Sequence, residues 1–394
     1  MNSTMMITYV ANARFPTEKA HGLQIAKTIE ALTRNHVRLT LVVPKRRVPE
    51  KLSPRKFYDL SCEIKSIYLP CIDWFFLYKA LPHLGRFLYA LETITFLFSV
   101  TVYVLIRAPA ILYTRDPFLF TLVSMLRKNL FLELHTFPKT TAGKAVLRQI
   151  LRRSNGIIVT NRFLQEKVEA MGITKSKTLI APNGADLTLG EKIIPKNQAR
   201  RRLGWPLDKN IALYLGHFYT SKGVDVLLEA ATLLPENVTV VLVGGSKTDK
   251  NLDPLRKGIT KNNTQKVRIL GFQERWKVPL FLSAADVCVL PNVVTDEESE
   301  FFTTPLKLFD YMVARRPIIA SDIPALREIM DDTAALFVTP NVPQALAKGI
   351  MRILEDSRES EKRANAAYTL AKDLSWNSRA KHIRKFIEDS ISHA

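Results

Sequence analysis

The stretch IALYLGHFYTSKGVDVLLEAATLLPENVTVVLVG, Ile211 to Gly244, decides the fold. It opens on a short apolar run, crosses a polar loop ending in Lys222 and Gly223, continues as a helix to Leu234, and closes on the apolar run Val238 to Gly244. Apolar runs without polar alternation are parallel strands buried on both faces, so this is a βαβ unit. Working towards the C-terminus, Val267 to Leu270, Val287 to Leu290 and Ile318 to Ala320 repeat the strand pattern between helices. Towards the N-terminus, Pro195 to Arg202 is polar, basic and proline-punctuated, and reads as a linker.

The first half has the same grammar. Met6 to Val10 is a strand, Asn12 to Thr17 a polar loop, and Leu23, Ile25, Ala26, Ile29 and Leu32 mark one face of a helix. Leu39 to Val43, Ala110 to Tyr113, Leu130 to Leu134, Gly156 to Thr160 and Thr178 to Ala181 supply further strands. The expectation is an α/β protein of two doubly wound domains, with ligands at the carboxyl ends of the strands and in the cleft between domains. The last helix, Asn377 to Ser392, is basic and amphipathic.

Composition agrees. A chain of 394 residues is too long for one ordinary core, and 47% hydrophobic content excludes a disordered basic protein. Cys62, Cys71 and Cys288 are scattered and histidines number only seven, so neither a disulfide framework nor a zinc site is expected, and a reducing compartment fits. MNSTMMITYVANARF lacks the basic and long apolar regions of a signal peptide. Of the formal net charge of +20, residues 1–190 contribute 27 Lys+Arg against 12 Asp+Glu, or +15, and residues 191–394 contribute 30 against 25, or +5. The field of the first half suits an anionic partner: a phosphate-rich leaflet, a nucleic acid or an acidic polymer.

Phe87 to Ile106 carries one formal charge, Glu92, over a length near the roughly 20 residues that span a bilayer. Thr93, Thr95, Ser99 and Thr101, with Arg86 and Arg107 at the ends, favour a buried core helix running into a strand. Partial insertion into one leaflet is the alternative.

Several loops could carry chemistry. PTEKAHG, Pro16 to Gly22, lies between a strand and a helix start, where free N–H groups favour anions; it is either a phosphate-proximal loop or an ordinary βα turn with a solvated Lys19. His135 follows the strand in LELHTF, a position from which side chains reach a ligand. Arg115 and Asp116 occupy the equivalent place after Tyr113, either as ligand contacts or as a local ion pair. Lys222 beside a helix start could neutralise a diphosphate, with a solvated loop lysine as the other reading. In TTPLKLFDYM, Pro305 suits a first helical turn, Leu306 and Lys307 offer N–H groups to an anion, and Asp310 could accept bonds from two vicinal hydroxyls of a ribose. DEESE, Asp296 to Glu300, reads as a surface loop.

Together, LYLGHFYTSKGVDVLLEA, VRILGF, LSAADVCVLPN, TTPLKLFDYMVARRPIIASDIPALREI, LELHTF, IIVTN and IAPNGAD resemble family 4 glycosyltransferases of the GT-B fold over nearly the whole chain. The resemblance implies two Rossmann-like domains facing each other across a cleft: an acceptor-binding domain over 1–195, a nucleotide-sugar-binding domain over 196–372, and a C-terminal helix over 373–394 packing back on the first. It implies a retaining, metal-independent hexosyltransferase using a UDP- or GDP-linked sugar as substrate, with no cofactor and no nucleic-acid partner. The acceptor would be a glycan or lipid-linked, in cell-envelope polysaccharide or glycolipid synthesis. Residue by residue, His135 matches the catalytic histidine beside the donor sugar, Lys222 the diphosphate lysine, and Asp310 the acidic residue that holds the ribose. Leu306 and Lys307 match backbone positions at the phosphates, Phe272 sits where the nucleobase packs, and Lys19 to Gly22 match the first-domain glycine loop. Phe302 and Thr304 fall in the donor segment of a branch that has an aromatic where the common pattern has glutamate. His217 replaces a phosphate-binding arginine, whose fork would bind a diphosphate more strongly.

Lys144, Arg148 and Arg152 recur at helical spacing with Arg153 adjacent, a basic stripe suited to anionic headgroups or to plain solvation. With Pro44 to Arg47, Arg55, Lys56 and Arg115, they make the first domain a candidate for the cytoplasmic face of the plasma membrane and a lipid-linked acceptor. Two rival readings remain at this level: a nucleotide-sugar epimerase or hydrolase of related fold, and a binding protein with a degenerate donor site.

Overall fold

A computed structural model of the chain describes residues 5–47, 53–74, 82–245 and 266–392. The chain divides into two units, one running to Pro182 and resuming at Trp376, the other spanning Asn183–Ser375.

In the first unit, seven strands, β1 (Met6–Val10), β2 (Arg38–Pro44), β3 (Ser66–Leu69), β4 (Ile111–Thr114), β5 (Leu130–Leu134), β6 (Gly156–Val159) and β7 (Thr178–Ile180), form a parallel sheet in the order β3-β2-β1-β4-β5-β6-β7. The order reverses between β1 and β4, so loops leaving those two strands at their carboxyl ends part to opposite sides and open a crevice. The Ala20–Arg34 helix follows β1 and packs against the Trp376–Ser392 helix, which returns from the end of the chain. That last helix also lies on β6, where Gly156 makes room for the Phe386 ring.

The second unit repeats the plan with six strands, β8 (Asn210–Gly216), β9 (Val238–Gly244), β10 (Val267–Gly271), β11 (Val287–Leu290), β12 (Ile318–Ser321) and β13 (Leu336–Val338), in the order β10-β9-β8-β11-β12-β13. Its switch point lies between β8 and β11. Leu213, Leu215, Val241 and Leu290 enter one core, while Ala212, Tyr214, Val240 and Val289 enter the other. Successive residues alternate between two buried faces, which is why these strands read as unbroken apolar runs.

Two segments differ from their sequence reading. The Pro195 to Arg202 stretch is no linker: Lys196–Leu203 is a helix, started by Pro195 and stopped by Gly204 in the left-handed conformation. It belongs to the second unit because Arg200 is buried there, paired with Asp286 and donating to the Ala284 and Lys209 carbonyls. The helix over Phe87 to Ile106 exists as Gly85–Arg107, but it is not a core helix: only 28% of its most apolar stretch is buried. Its buried side carries Leu88, Phe96, Val100 and Val104 together with the polar Glu92 and Thr101.

Candidate functional site

In the second unit the switch point gathers most of the residues expected to bind a donor. β8 ends at Gly216, His217 to Tyr219 cross its carboxyl end, and the turn Thr220–Lys222 leads through Gly223 into the Val224–Leu233 helix. Gly223 has φ +67, and a Cβ there would stand 1.7 Å from the Pro291 carbonyl oxygen. Only glycine lets the loop after β8 close onto the chain leaving β11, and that closure brings Lys222 to the switch point. Tyr214 donates its hydroxyl to the His217 carbonyl at 2.5 Å, and the His217 ring stacks on Tyr219 at 5.1 Å between centroids.

The Leu306–Val313 helix is stitched to the same strands, because Tyr311 accepts the Leu215 N–H at 2.8 Å. One turn earlier on that helix, Lys307 lays its Nζ 3.6 Å above the centre of the Tyr214 ring, beside Gly216. This ammonium is buried and has no hydrogen-bond partner among the described residues. Burial drives its pKa well below the usual lysine value, and the like charge of Lys222 adds to the effect. Burial also lowers Lys222, against an opposing pull from Glu298. Glu298 opens the turn Glu298–Phe302, so the acidic run read as a surface loop is partly ordered and supplies the field on Lys222.

Nearby polar atoms are also left open. Thr304 Oγ1, Asn292 Oδ1 and Asn183 Oδ1 are buried without a partner among the described residues, and Asn183 Nδ2 donates to the Thr304 carbonyl at 2.8 Å. Buried polar groups are nearly always bonded, so these atoms beside a desolvated cation are candidates to meet a ligand or ordered water. An anion beside them would oppose the depression of both lysines. Leu306, half-buried, begins the helix after Pro305, where first-turn N–H groups have no partner within the helix and the dipole favours the same charge.

Asp310 is buried on the next part of that helix, but its carboxylate is already gripped. Arg275 donates through both terminal nitrogens at 2.7 Å, one to each oxygen. Each oxygen keeps a lone pair for a further donor. Arg275 follows β10 and the half-buried Phe272, so the segment expected at the base supplies the partner of the residue expected at the ribose. Phe302 is buried and packs within the turn before the helix.

The remaining expected residues belong to the first unit. His135, just past β5, bonds through Nε2 to Glu133 Oε1 at 2.7 Å. Glu133 is fully buried and also accepts from Gln24 at 2.6 Å, from Arg379 at 2.6 Å, and from the Tyr113 hydroxyl. Arg379 and these donors hold the carboxylate far below the usual range despite its burial. Burial, with Arg115 next, pushes the His135 pKa down to about 4 against the pull of Glu133, so the imidazole is neutral at physiological pH. Arg115 Nη1 donates to Gln24 Oε1 at 2.7 Å, and Asp116 accepts the Asn12 N–H at 2.7 Å, so the two neighbours serve different partners rather than each other. Gly22 is required by packing: a Cβ would meet the Tyr58 hydroxyl at 2.3 Å, and that hydroxyl clamps Thr17 by accepting its N–H and donating to its carbonyl. Lys19 is exposed at the start of the Ala20–Arg34 helix. Among the described residues no three His, Cys, Asp or Glu side chains cluster as metal ligands.

Residues 195–372 match the family described as glycosyl transferases group 1. That match falls wholly within the second unit. Over 224 residues the chain is 28% identical to the putative teichuronic acid biosynthesis glycosyltransferase TuaC of Bacillus subtilis, covering 56% of this chain and 52% of that protein. Over 274 residues it is 24% identical to the D-inositol 3-phosphate glycosyltransferase of Xylanimonas cellulosilytica, covering 67% and 64%. The chain thus spans between about half and two thirds of these relatives. Among solved structures, Anabaena Alr3699/HepE in complex with UDP superposes with a TM-score of 0.74 at 16% identity, over 98% of this chain and 100% of that one. The fold is GT-B.

Within the second unit, sequence reasoning expected Lys222 and Asp310 at the donor and assigned Lys307 only its backbone. The signal for its side chain was Tyr214, an aromatic ending in a polar tip within an otherwise aliphatic strand. Arg275 carried no signal, because its partner lies 35 residues away. In the first unit Glu133 was visible as the one acidic residue inside LFLEL, a charge that no buried strand carries without partners.

Proposed function

We propose that the chain is a glycosyltransferase that transfers a hexose from a nucleoside-diphosphate sugar to a glycan or lipid-linked acceptor, with retention of anomeric configuration. The observation that carries this reading is the Lys307 ammonium, buried over the Tyr214 ring with no hydrogen-bond partner among the described residues and close enough to Lys222 to feel its charge. Two desolvated lysines and a helix start suit a diphosphate that gains charge as the sugar departs, so they stabilise the transition state more than the bound donor. The structural neighbour solved with UDP supports a nucleotide donor, and UDP or GDP both fit the reading.

In this proposal the bond from the anomeric carbon to the diphosphate oxygen breaks as the acceptor oxygen bonds to the same carbon on the same face. The acceptor proton passes to the departing phosphate oxygen. No resident metal is needed, since cations of the protein carry the neutralisation. His135, held neutral, serves as a hydrogen-bonding partner at the sugar rather than as a fixed positive charge.

A thermal-shift panel of UDP, GDP and ADP, with and without Mg2+, on wild type and Lys307→Met tests the reading. One nucleotide is expected to stabilise the wild type after chelation, and the variant is expected to bind it roughly 10-fold to 100-fold more weakly, the loss of one charged hydrogen bond. No stabilisation by any nucleotide would overturn the proposal. Trapping of a covalent glycosyl-enzyme would overturn the single-step route alone.

A further inference from the structure

The Gly85–Arg107 helix is apolar on both sides: Leu88, Phe96, Val100 and Val104 are buried, and large apolar side chains also stand on the opposite side. Its polar groups turn inward: Glu92 pairs with Arg46, Asn12 donates to Glu92 and Thr93, Thr95 accepts the Ile72 N–H, and Ser99 donates to the Pro70 carbonyl. Its outer face is apolar. Phe87, Ile94, Phe98 and Ile106 stand 62%, 64%, 66% and 75% exposed, and no charge interrupts that face between Arg86 and Arg107. The apolar surface continues onto the Pro117–Leu126 segment, which packs beside the helix and exposes Met125 and Leu126. Monomeric soluble proteins rarely leave so continuous an apolar surface to water.

What lies next to it decides the occupant. The Thr141–Arg153 helix packs on the other side of Pro117–Leu126 and exposes Lys144, Arg148, Arg152 and Arg153, and Lys128 is exposed at the end of the apolar segment. An apolar strip bordered by cations fits a leaflet of anionic lipid, acyl chains against the strip and headgroups against the bases. A second copy of this chain would bring a like-charged border against its own, on a molecule of formal net charge +20. The helix is about 35 Å long, enough to cross a bilayer. Its inner side, however, is bonded to the first unit between Glu92 and Ser99 and buried at Leu88, Phe96, Val100 and Val104, so only the outer half is free for lipid.

We infer that Gly85–Arg107 and Pro117–Leu126 form a monotopic docking face for an anionic lipid leaflet, flanked by the basic Thr141–Arg153 helix. The face lies parallel to the membrane, with Phe98 and Ile106 entering the acyl boundary. Arg46, one of the basic residues first expected to meet headgroups, is instead committed to Glu92 and serves to hold the helix in place. This inference stands independently of the proposed transferase activity.

The test is co-sedimentation of the full chain with phosphatidylcholine vesicles, with and without phosphatidylglycerol, at low and high salt. Wild type is expected to bind the anionic vesicles at least about tenfold more tightly than the neutral ones, and to weaken with salt. The double variant Ile94→Ser, Phe98→Ser is expected to lose roughly tenfold or more, and Arg148→Glu, Arg152→Glu to lose a similar factor on anionic vesicles only. In Phe98→Trp, indole emission should be quenched by lipids brominated on their acyl chains. All four substituted residues are exposed, so unchanged melting and an unchanged nucleotide shift separate loss of docking from loss of fold or of the donor site. Equal binding by wild type and the apolar double variant would overturn the inference, as would absence of vesicle binding. Lipid-independent dimerisation abolished by Ile94→Ser, Phe98→Ser would overturn it in favour of a second copy.

Discussion

At the scale of single residues, the two units use charge in opposite ways. Glu133 is saturated with donors, whereas the Lys307 ammonium meets no hydrogen-bond acceptor among the described residues, a contrast between a charge tied into the fold and one left open. The neutral His135 makes stability depend on pH. Its folded pKa of about 4 lies below its ordinary value, so between about 4 and 6.5 the unfolded chain binds more protons and stability falls as pH falls. The effect is roughly 3 kcal/mol over that window. Melting temperatures from pH 7 to pH 4.5 should drop less steeply in His135→Gln than in wild type. The Arg275 fork gives a second expectation. If Asp310 keeps lone pairs for a ribose while Arg275 orients it, wild type should bind UDP about tenfold more tightly than 2′-deoxy-UDP, and Asp310→Asn should lose most of that preference. Isothermal titration with both nucleotides measures the difference. An equal preference in the variant would assign the fork to structure alone.

At the scale of elements, the central strands were legible because both their faces are buried, which leaves an unbroken apolar run. β3 and β13 were not, because they are short edge strands with half-exposed residues. The Gly85–Arg107 helix shows a different limit. Composition records that a segment is apolar, but which side is covered depends on partners such as Arg46, brought by another element. The Lys196–Leu203 helix was hidden for a related reason: three consecutive arginines read as solvated, yet Arg200 is buried on carbonyls and a carboxylate supplied from elsewhere in the chain. The loop after β8 was read as a site element from Lys222, and the structure places that residue at the switch point. Gly223→Ala should cost about 3 kcal/mol or more, since it adds both a left-handed strain and a clash with Pro291. Denaturant unfolding should show that loss. The nucleotide shift should fall with it, because the same closure places Lys222.

At the scale of the whole molecule, the two-unit plan and the doubly wound sheets were present in the sequence and the return of the last helix came with the family resemblance, but the first crossing was placed at 195 and lies at Pro182. The chain leaves the first unit at Pro182 and re-enters it at Trp376, and the returning helix supplies Arg379 to the buried Glu133. Breaking a buried pair by removing one partner costs about 3–5 kcal/mol. A chain ending at Ser375 should therefore lose the first unit's cooperative melting while Asn183–Ser375 keeps its nucleotide-dependent stabilisation. Calorimetry with and without UDP would show one transition lost and one retained. Simultaneous loss of both would mean that the second unit cannot stand without the first.

The returning helix also has a consequence for synthesis on the ribosome. Glu133 is translated 246 residues before Arg379. At about 5–20 residues per second, that interval lasts on the order of ten seconds to a minute. Throughout it, the nascent first sheet holds a carboxylate that has no guanidinium to meet, while the second sheet emerges complete. The segment made last should therefore finish the part of the protein made first, and protease resistance of the N-terminal half on stalled chains should appear only after Trp376–Ser392 has cleared the exit tunnel.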